Sequence, residues 1–542
     1  MAAPYANPTS SIFIQMSFIA NHCFFYSSIF PSSPHQNACI TPSSRSLYNT
    51  TGPSTSSPQT AKMSPSLPSP APSTLTITSS STSCPVTVLS KVTVFPDKKS
   101  KLGDLLNLSV FDLPMLTCHY IQKGLLFPPP SIPIASVRTL LTLSLSRALS
   151  FFPSLAGRLF TDPEGRIFIS CTDSGAEFTH ATATSLTLPL LLPPSSDVPT
   201  QFKSLFSLDS AVSYDGHTLP LAAFQFTELG DGAVFLACSV NHAVVDGTSF
   251  WNFFNAWGEL CRSPSLTTLS LPPDFRRNFF PDSPAVLHFP EGKPPSVSFP
   301  VDAPLRERIF HFGSEAIRKL KSRANCKSQN AEVYGKSIND PKQVEEISSF
   351  QSLCAQLWSS VTRARSHLAA TEPTTFRMAV NCRRRVVPAK DDLYFGNAIQ
   401  SIATMATVKE VADGDLRWVA GLLHQSVVSY GDERIRKAVA EWEASPRCFP
   451  LGNPSGSGIT MGSSPRFPMY EGSDFGWGCP LAVRSGKANK FDGKISAFPG
   501  KTGRGSVDLE VCLAPDTMAA LLEDKDFMQY VSAAEVGDIA AT

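Results

Sequence analysis

The sequence predicts an α/β protein built from two domains that follow a long N-terminal extension. The chain has 542 residues, which is more than a single hydrophobic core usually serves. From residue 86 onward, short apolar runs of strand length alternate with longer segments in which apolar residues recur with helical spacing. A Pro-rich stretch of weak periodicity over 272–300 separates the structured regions 86–271 and 301–542, and we place the domain connection there.

The first region combines strand and helix patterns. Residues 86–94 alternate like a half-buried strand, and residues 116–124 predict a second strand. Apolar spacing over 134–152 predicts a helix that ends before a proline. A turn at 163–165 predicts a hairpin that leads into a strand over 166–171.

The second region shows the same mixture. Residues 349–361 carry apolar side chains with helical spacing, so we expect a helix there. Short apolar runs around 378–380, 481–484 and 507–513 predict strands.

One predicted strand-to-helix transition holds a candidate reactive group. The apolar run 234–238 predicts a buried strand. Aromatic residues spaced by three and four over 248–257 predict an amphipathic helix with Thr248 or Ser249 as its N-cap. His242 lies in the turn between them, where rigid elements often present functional side chains.

His242 and Asp246, four residues apart, have two interpretations. A neutral imidazole accepts a proton near pH 7, because its unperturbed pKa is about 6.5. Alternatively, His242 is a satisfied core histidine and Asp246 opens a helix. The spacing alone does not decide between a catalytic and a structural role, so a second signal elsewhere in the chain is needed.

Composition and simple motifs exclude several classes of function. The formal net charge is +1, which excludes a strongly basic surface for nucleic acid or an anionic membrane. No run approaches 18 uninterrupted apolar residues, so we expect no membrane-spanning helix. The 13 cysteines are scattered without a Cys-x-x-Cys pair, which predicts reduced thiols in the cytoplasm, no metal site and no disulfide framework. The chain lacks the Gly-x-Ser-x-Gly elbow of ordinary serine hydrolases.

Residues 1–85 differ from the rest of the chain. They are rich in Ser, Thr and Pro, and the first acidic residue is Asp97. Such a segment has too little periodic apolar surface to fold alone, so we expect a disordered extension. Three roles stay open for it: a dispensable extension, a transit peptide within 1–62 that would direct the chain to a plastid, or a secretory signal. Met63 offers a shorter start.

The second signal lies near the C-terminus, in a run of two glycines around an aromatic residue. Its residues are Asp474, Phe475, Gly476, Trp477 and Gly478. Alone, this run indicates a tight turn that packs against another part of the protein.

Together with His242-x-x-x-Asp246-Gly247, this run resembles the signature of the plant BAHD acyltransferases. The resemblance extends from about residue 86 to the C-terminus and includes further stretches, namely 152–159, 381–383 and 394–397. Two stretches, 119–124 and 241–255, also resemble the branch that contains the Defective in Cuticular Ridges protein.

The resemblance implies an α/β fold of two similar chloramphenicol-acetyltransferase-like domains, each with a mixed sheet flanked by helices, and a channel between them. His242 would lie midway along the channel as general base. An acyl-CoA would enter from one face as co-substrate, with no permanently bound cofactor and no metal. The acceptor, a small-molecule alcohol or amine, would enter from the other face.

The resemblance also assigns roles to the other motif residues. Asp246 would point away from the substrate and pair with an Arg, for which Arg383 is the first choice and Arg385 the second. Asn381 and Arg383 would lie near the CoA entrance. The turn 474–478 would lie far from the chemistry and maintain the shape of the channel.

Three positions depart from the family pattern. Many members carry a Trp shortly before the Pro-x-Tyr that precedes the turn, and this chain has none there, so Ser463 or Ser464 would have to replace an oxyanion donor. Asn241 stands where many members have a second His, and Cys479 follows the turn where a basic residue is common.

These patterns predict a monomeric, cytoplasmic, acyl-CoA-dependent acyltransferase. Its acceptor is not written in the motifs, and the narrower resemblance suggests precursors of cuticle polymers or specialised metabolism. Two alternatives stay open: a lyase on the same scaffold, in which His242 abstracts a proton without CoA, and a catalytically silent binding protein.

Overall fold

The computed structural model describes residues 85–532, except 101–104, 194, 278, 285, 290–294, 327–345 and 504. The extension predicted over 1–85 therefore lies almost entirely outside the described residues. The strands are β1 (Thr87–Val94), β2 (Leu105–Asn107), β3 (Ile121–Phe127), β4 (Arg158–Thr161), β5 (Ile167–Ser170), β6 (Ala176–Ala183), β7 (Ala222–Leu229), β8 (Val234–Val240), β9 (Arg306–Phe312), β10 (Pro373–Asn381), β11 (Ile399–Thr407), β12 (Ile459–Ser463), β13 (Ala482–Ser485), β14 (Lys494–Pro499) and β15 (Val507–Leu513).

Helices connect and cover these strands. The α-helices are α1 (Ile134–Phe151), α2 (Leu188–Leu191), α3 (Gly247–Arg262), α4 (Ser314–Asn325), α5 (Ser349–Ala364), α6 (Val408–Asp413), α7 (Leu416–Val428), α8 (Asp432–Ala444), α9 (Pro515–Glu523) and α10 (Lys525–Met528). Short 3₁₀ turns occupy Leu113–Thr117, Pro153–Ala156, Thr200–Leu205, Ser213–His217 and Glu471–Ser473.

The first large sheet has six strands in the order β1-β6-β7-β8-β3-β13. Its pairs are antiparallel except β6 with β7, which run parallel, so the sheet is mixed. Five of its strands come from the first half of the chain. The sixth, β13, comes from the second half and pairs with β3 from Ala482 opposite Leu126 to Ser485 opposite Lys123.

The second large sheet has six strands in the order β11-β10-β12-β14-β15-β9 and is also mixed. The pairs β10 with β12 and β12 with β14 are parallel, and the other pairs are antiparallel. A small sheet of three strands, β2-β5-β4, joins the first region. The predicted α/β class with mixed sheets flanked by helices is confirmed.

Each large sheet has its own hydrophobic core. Buried side chains of the first sheet, such as Phe224 and Leu236, pack with α1 and α3, and Trp257 of α3 donates to the Leu141 carbonyl at 3.2 Å. The second sheet packs against α4, α5, α7 and α9, with Trp358 of α5 fully buried there. None of the helices in the described residues is long and apolar enough to cross a membrane.

Several predicted elements are confirmed, and three differ. The helices and strands predicted at 134–152, 166–171, 234–238, 349–361 and 507–513 are present at or close to their expected bounds. The strand expected over 116–124 starts only at Ile121, because a 3₁₀ turn with a proline in its first turn occupies Leu113–Thr117. The strand β1 is mostly exposed and not half-buried, because it lies at the sheet edge with a single neighbour.

The third difference concerns the start of α3. This helix starts at Gly247, and its N-cap is Asp246, whose side chain accepts from the Ser249 amide at 3.0 Å. The N-cap expected at Thr248 or Ser249 is therefore wrong by at least two residues, because a buried carboxylate caps the helix in place of a hydroxyl.

The predicted connection over 272–300 contains no helix or strand among its described residues. It is nevertheless attached to the protein. Asp274 forms an isolated bridge with Tyr394, in which its amide donates to the Leu393 carbonyl at 2.8 Å and its carbonyl accepts from the Phe395 amide at 2.7 Å. The segment thus lies against the stretch 394–397, which is one of the stretches that carry the family resemblance.

Candidate active site

His242 is held by its backbone between two distant parts of the chain. It follows β8 by two residues and precedes α3. Its amide donates to Ser213 Oγ at 3.0 Å, and its carbonyl accepts from Asn397 Nδ2 at 2.8 Å. These two bonds fix the position from which the imidazole is presented.

The imidazole of His242 is kept neutral by its surroundings. Burial lowers the pKa of His242 below 6.5 and outweighs the opposing effect of the Asp246 charge, while the charge of Lys494 lowers the pKa further. Nδ1 is buried and has no hydrogen-bond partner among the described residues. At pH 7 this side chain can therefore accept a proton, and no carboxylate is bound to its Nδ1.

Asp246 forms a buried ion pair with Arg383, and both side chains have an exposed fraction of 0%. Arg383 donates through Nη1 to Oδ2 at 2.7 Å and through Nη2 to Oδ1 at 3.1 Å. The Ala398 amide also donates to Oδ2 at 3.1 Å. Burial raises the pKa of Asp246, but the charge and hydrogen bonds of Arg383 outweigh it and hold the pKa below 3.8. Asp246 is therefore ionised, and its carboxylate is fully bonded within the protein.

The expected pairing of Asp246 with Arg383 is thus present, whereas Arg385 points elsewhere. Arg385 donates to the carbonyls of Val427 and Tyr430, both at 2.8 Å. Sequence motifs alone left the choice between the two arginines open, because both follow the same strand.

Arg383 has no hydrogen-bonding capacity left for a ligand. Besides Asp246, its guanidinium donates to the Tyr394 and Gly396 carbonyls at 3.1 and 3.0 Å and to Ser249 Oγ at 3.2 Å. Its amide donates to Asn381 Oδ1 at 2.9 Å. Arg383, which we expect near a CoA entrance, is therefore fully enclosed by protein. Asn381 is exposed, and its side chain binds the Arg383 backbone.

A second buried ion pair, which the sequence reasoning missed, lies next to the His242 turn. Asp112 Oδ2 accepts from Arg277 Nη1 at 2.9 Å, and both side chains are buried. Asp112 Oδ1 accepts from the amide and the side-chain nitrogen of Asn397 at 2.9 and 3.0 Å. Asn397 in turn binds the His242 carbonyl, so Asp112 positions His242 through one intermediate residue. Ser109 is a local partner of Asp112, but Arg277 and Asn397, which connect it to this site, lie 165 and 285 residues away, so no local motif marks this role.

The turn 474–478 packs against α3. Asp474 Oδ1 accepts from the amides of Gly476 and Gly478 at 2.7 and 3.1 Å, and both glycines have positive φ, 109° and 108°. Such φ values favour glycine, which explains the two glycines of the motif. The Phe475 ring meets the Trp257 ring edge-on at 5.1 Å. The motif thus supports the helix that starts just after His242.

The stretch that begins at Ser463 also contacts the start of α3. Ser463 ends β12 with φ of 65°, a left-handed conformation that is rare for serine. A Cβ added to Gly247 would lie 2.8 Å from the end of the Phe467 ring, so any larger residue requires that ring to shift. Ser464 Oγ accepts from the Arg466 amide at 3.2 Å. Because Ser464 only accepts in that bond, its hydroxyl proton stays free, and both Ser463 and Ser464 remain candidate oxyanion donors.

Comparisons with known proteins agree with this arrangement. A sequence model of the Transferase family matches residues 84–528. The chain is 33% identical over 465 residues to "BAHD acyltransferase DCR" of Arabidopsis thaliana, a match that covers 82% of this chain and 92% of that protein.

Two solved structures share the fold. Vinorine synthase superposes with a TM-score of 0.63 at 22% identity, covering 83% of this chain and 99% of that chain. TRI101 of F. sporotrichioides, solved with coenzyme A and T-2, has a TM-score of 0.63 at 20% identity, covering 79% and 99%. From the family match and the identity to DCR, this chain belongs to the BAHD family of acyltransferases.

Proposed function

We propose that this enzyme transfers an acyl group from a CoA thioester to a hydroxyl or amine acceptor, with His242 as general base. The observation that carries the proposal is the setting of His242: its backbone is fixed on both sides, burial favours its neutral form, and no carboxylate of the described residues is bound to its Nδ1. The use of CoA as carrier is supported by the TRI101 structure, which was solved with coenzyme A.

The proposed reaction needs no covalent enzyme intermediate. His242 takes the proton from the acceptor as its oxygen or nitrogen attacks the thioester carbonyl. The tetrahedral oxyanion then collapses, the carbon–sulfur bond breaks, and the imidazolium returns the proton to the CoA thiolate. Ser463 is our candidate donor to the oxyanion, since its hydroxyl lies on the strained end of β12.

Asp246 and Arg383 have a positioning role in this proposal. They connect the start of α3 to the segments at 383 and 394–398, and thereby keep the His242 turn in place. Donor and acceptor would reach His242 along a channel between the two sheets.

His242→Ala tests the chemistry. We expect thiol release from a panel of acyl-CoAs, with pooled alcohol and amine acceptors, to fall by roughly 10² to 10⁴, the usual contribution of a general base. His367→Ala is the matched control, because His367 is exposed. Unchanged melting of both variants shows that the loss is chemical. Turnover of the His242 variant near that of the unmodified enzyme would refute the proposal.

The two other functions predict different results. A lyase on this scaffold would consume a substrate without CoA but would still lose activity in the His242 variant. A silent binding protein would release no thiol with any acyl-CoA and would keep its ligand affinity in the variant.

We also propose a cytoplasmic monomer that acts on precursors of cuticle polymers or of specialised metabolites. The identity to DCR supports the comparison with that branch. Light scattering of the purified chain tests the monomer, and a fluorescent fusion of the whole chain tests the compartment. Plastid accumulation would contradict the cytoplasmic assignment and leave the chemistry untouched.

A further inference from the structure

The second sheet carries charged side chains on the face turned away from its own core. Ile495 of β14 and Val511 of β15 belong to that core, whereas Lys494 and its register partner Cys512 alternate to the opposite face. This face meets the first sheet, because Lys123 Nζ of β3 lies 4.7 Å from the centre of the Phe498 ring of β14.

Most charges on this face have partners within the protein. Lys490 Nζ lies 3.3 Å from Glu510 Oε1 and also pairs with Glu307, and all three side chains are buried. Lys123 Nζ donates to Ser485 Oγ at 2.6 Å. Both carboxylates are therefore paired with Lys490, and the charge of Glu510 also acts on Lys494 from a distance.

Lys494 is the exception. The residue is half-buried. Its backbone is bonded within the sheet, but its ammonium group forms no hydrogen bond or ion pair with any residue in the described part of the chain. Its ammonium group lies against Gly462, since a Cβ added to that glycine would be 2.3 Å from Lys494 Nζ. Gly462 makes room for the ammonium directly before Ser463, the candidate oxyanion donor.

The charge of Lys494 acts on His242. It is one of the groups that lower the pKa of His242, after burial. Burial also lowers the pKa of Lys494 itself to about 8, which leaves the ammonium largely protonated at pH 7. The imidazolium that forms during acyl transfer would therefore be opposed by a nearby cation unless an anion neutralises it.

We propose that Lys494 binds a carboxylate of the acyl acceptor, so that this enzyme selects acceptors that carry an acid group in addition to the hydroxyl or amine. The inference rests on the proposed function, because it assigns the acceptor at that site. A carboxylate fits better than the transient oxyanion, because the ammonium is unpaired in the resting enzyme and a permanent anion neutralises it before the chemistry starts.

A binding experiment tests the site without any turnover. Lys494 is acetylated at trace level with acetic anhydride, and the extent of acetylation is quantified by mass spectrometry. The reaction is run in the presence of 16-hydroxyhexadecanoate, shikimate or 3-hydroxybenzoate, and again with the methyl ester of each. We expect at least one acid to protect Lys494 and its ester not to. Equal protection by acid and ester, or none by any acid, would overturn the proposal. Because the acetylation is chemical and needs no enzymatic turnover, failure of the proposed reaction does not affect this result.

A kinetic experiment then uses Lys494→Met, with Lys437→Met as control, since the Lys437 side chain is 76% exposed. With an acid that protects Lys494 as acceptor, Lys494→Met should raise the KM for that acid roughly 10- to 100-fold, as for a lost charge-assisted hydrogen bond. The KM for its methyl ester should not change. Lys494→Arg should restore part of the affinity. An equal fall in kcat for acids and esters would assign Lys494 to the oxyanion and overturn the proposal. The melting temperature of Lys494→Met should not drop, because Lys494 forms no ion pair that the substitution would break.

Discussion

Replacing Asp246 by Asn should destabilise the protein more than it affects the chemistry. The carboxylate accepts hydrogen bonds from the amides of Ser249 and Ala398 and from two nitrogens of Arg383. An amide of the same shape keeps one oxygen and turns an NH₂ group towards one of these donors. Arg383 then carries an uncompensated charge at an exposed fraction of 0%.

The expected magnitude follows from this burial. Removing one partner of a buried ion pair typically costs about 3–5 kcal/mol, because the remaining charge is stranded away from water. The pKa of Asp246 is lowered in the folded protein, so its contribution is complete above pH 3.8 and is lost only as the pH falls through the folded value. The difference between the two proteins should therefore be constant across neutral pH.

Urea unfolding at pH 7, together with turnover below the unfolding transition, measures both effects. Asp413→Asn is the control, because that side chain is 59% exposed in its pair with Lys409 and should matter by less than about 1 kcal/mol. Adding Arg383→Met to Asp246→Asn should recover part of the lost stability, since the stranded charge is removed. Unchanged unfolding with complete loss of activity would refute the reasoning and make Asp246 a direct participant.

Three further outcomes are expected. Gly247→Ala should lower the free energy of unfolding by about 1–3 kcal/mol through overpacking against Phe467, and Phe467→Leu should relieve it in a double-mutant cycle; additive losses would contradict the contact. The acid limb of the pH dependence of kcat/KM should lie below pH 6.5, because the pKa of His242 is lowered by burial, and a limb at or above 6.5 would be inconsistent with this. A chain that starts at Met63 should match the full chain in turnover and melting, and a drop of more than a few degrees would mean that residues 1–62 pack on the fold.

Local patterns predicted the elements well where one periodicity dominated. Helix α1 and strand β15 have their expected bounds or nearly so, because apolar residues repeat there without competing turn signals. Residues 116–124 have the composition of a strand, but Pro114 starts a 3₁₀ turn that shortens it. The fully buried strand β8 was easier to recognise than the exposed edge strand β1, because burial on both faces demands an unbroken apolar run.

The site was predictable only in part, for a related reason. His242 and Asp246 were marked by their spacing and by the second motif. The Asp112–Arg277 pair and the unpaired Lys494 depend on contacts between segments far apart in the chain, which no local pattern records. The family resemblance identifies Arg383 as the partner of Asp246. That the Arg383 guanidinium is also fully bonded to carbonyl oxygens is visible only in the three-dimensional structure.

The strand β13 has a consequence for how the chain is made. Because β13 pairs with β3, the backbone edge of β3 from Lys123 to Leu126 stays unpaired during synthesis until residue 485 has left the ribosome. Unpaired edges recruit other strands, so a nascent chain of this enzyme exposes an aggregation-prone border for most of its translation. Once inserted, the same strand joins the second half of the chain to the first by backbone hydrogen bonds, which oppose separation of the two sheets.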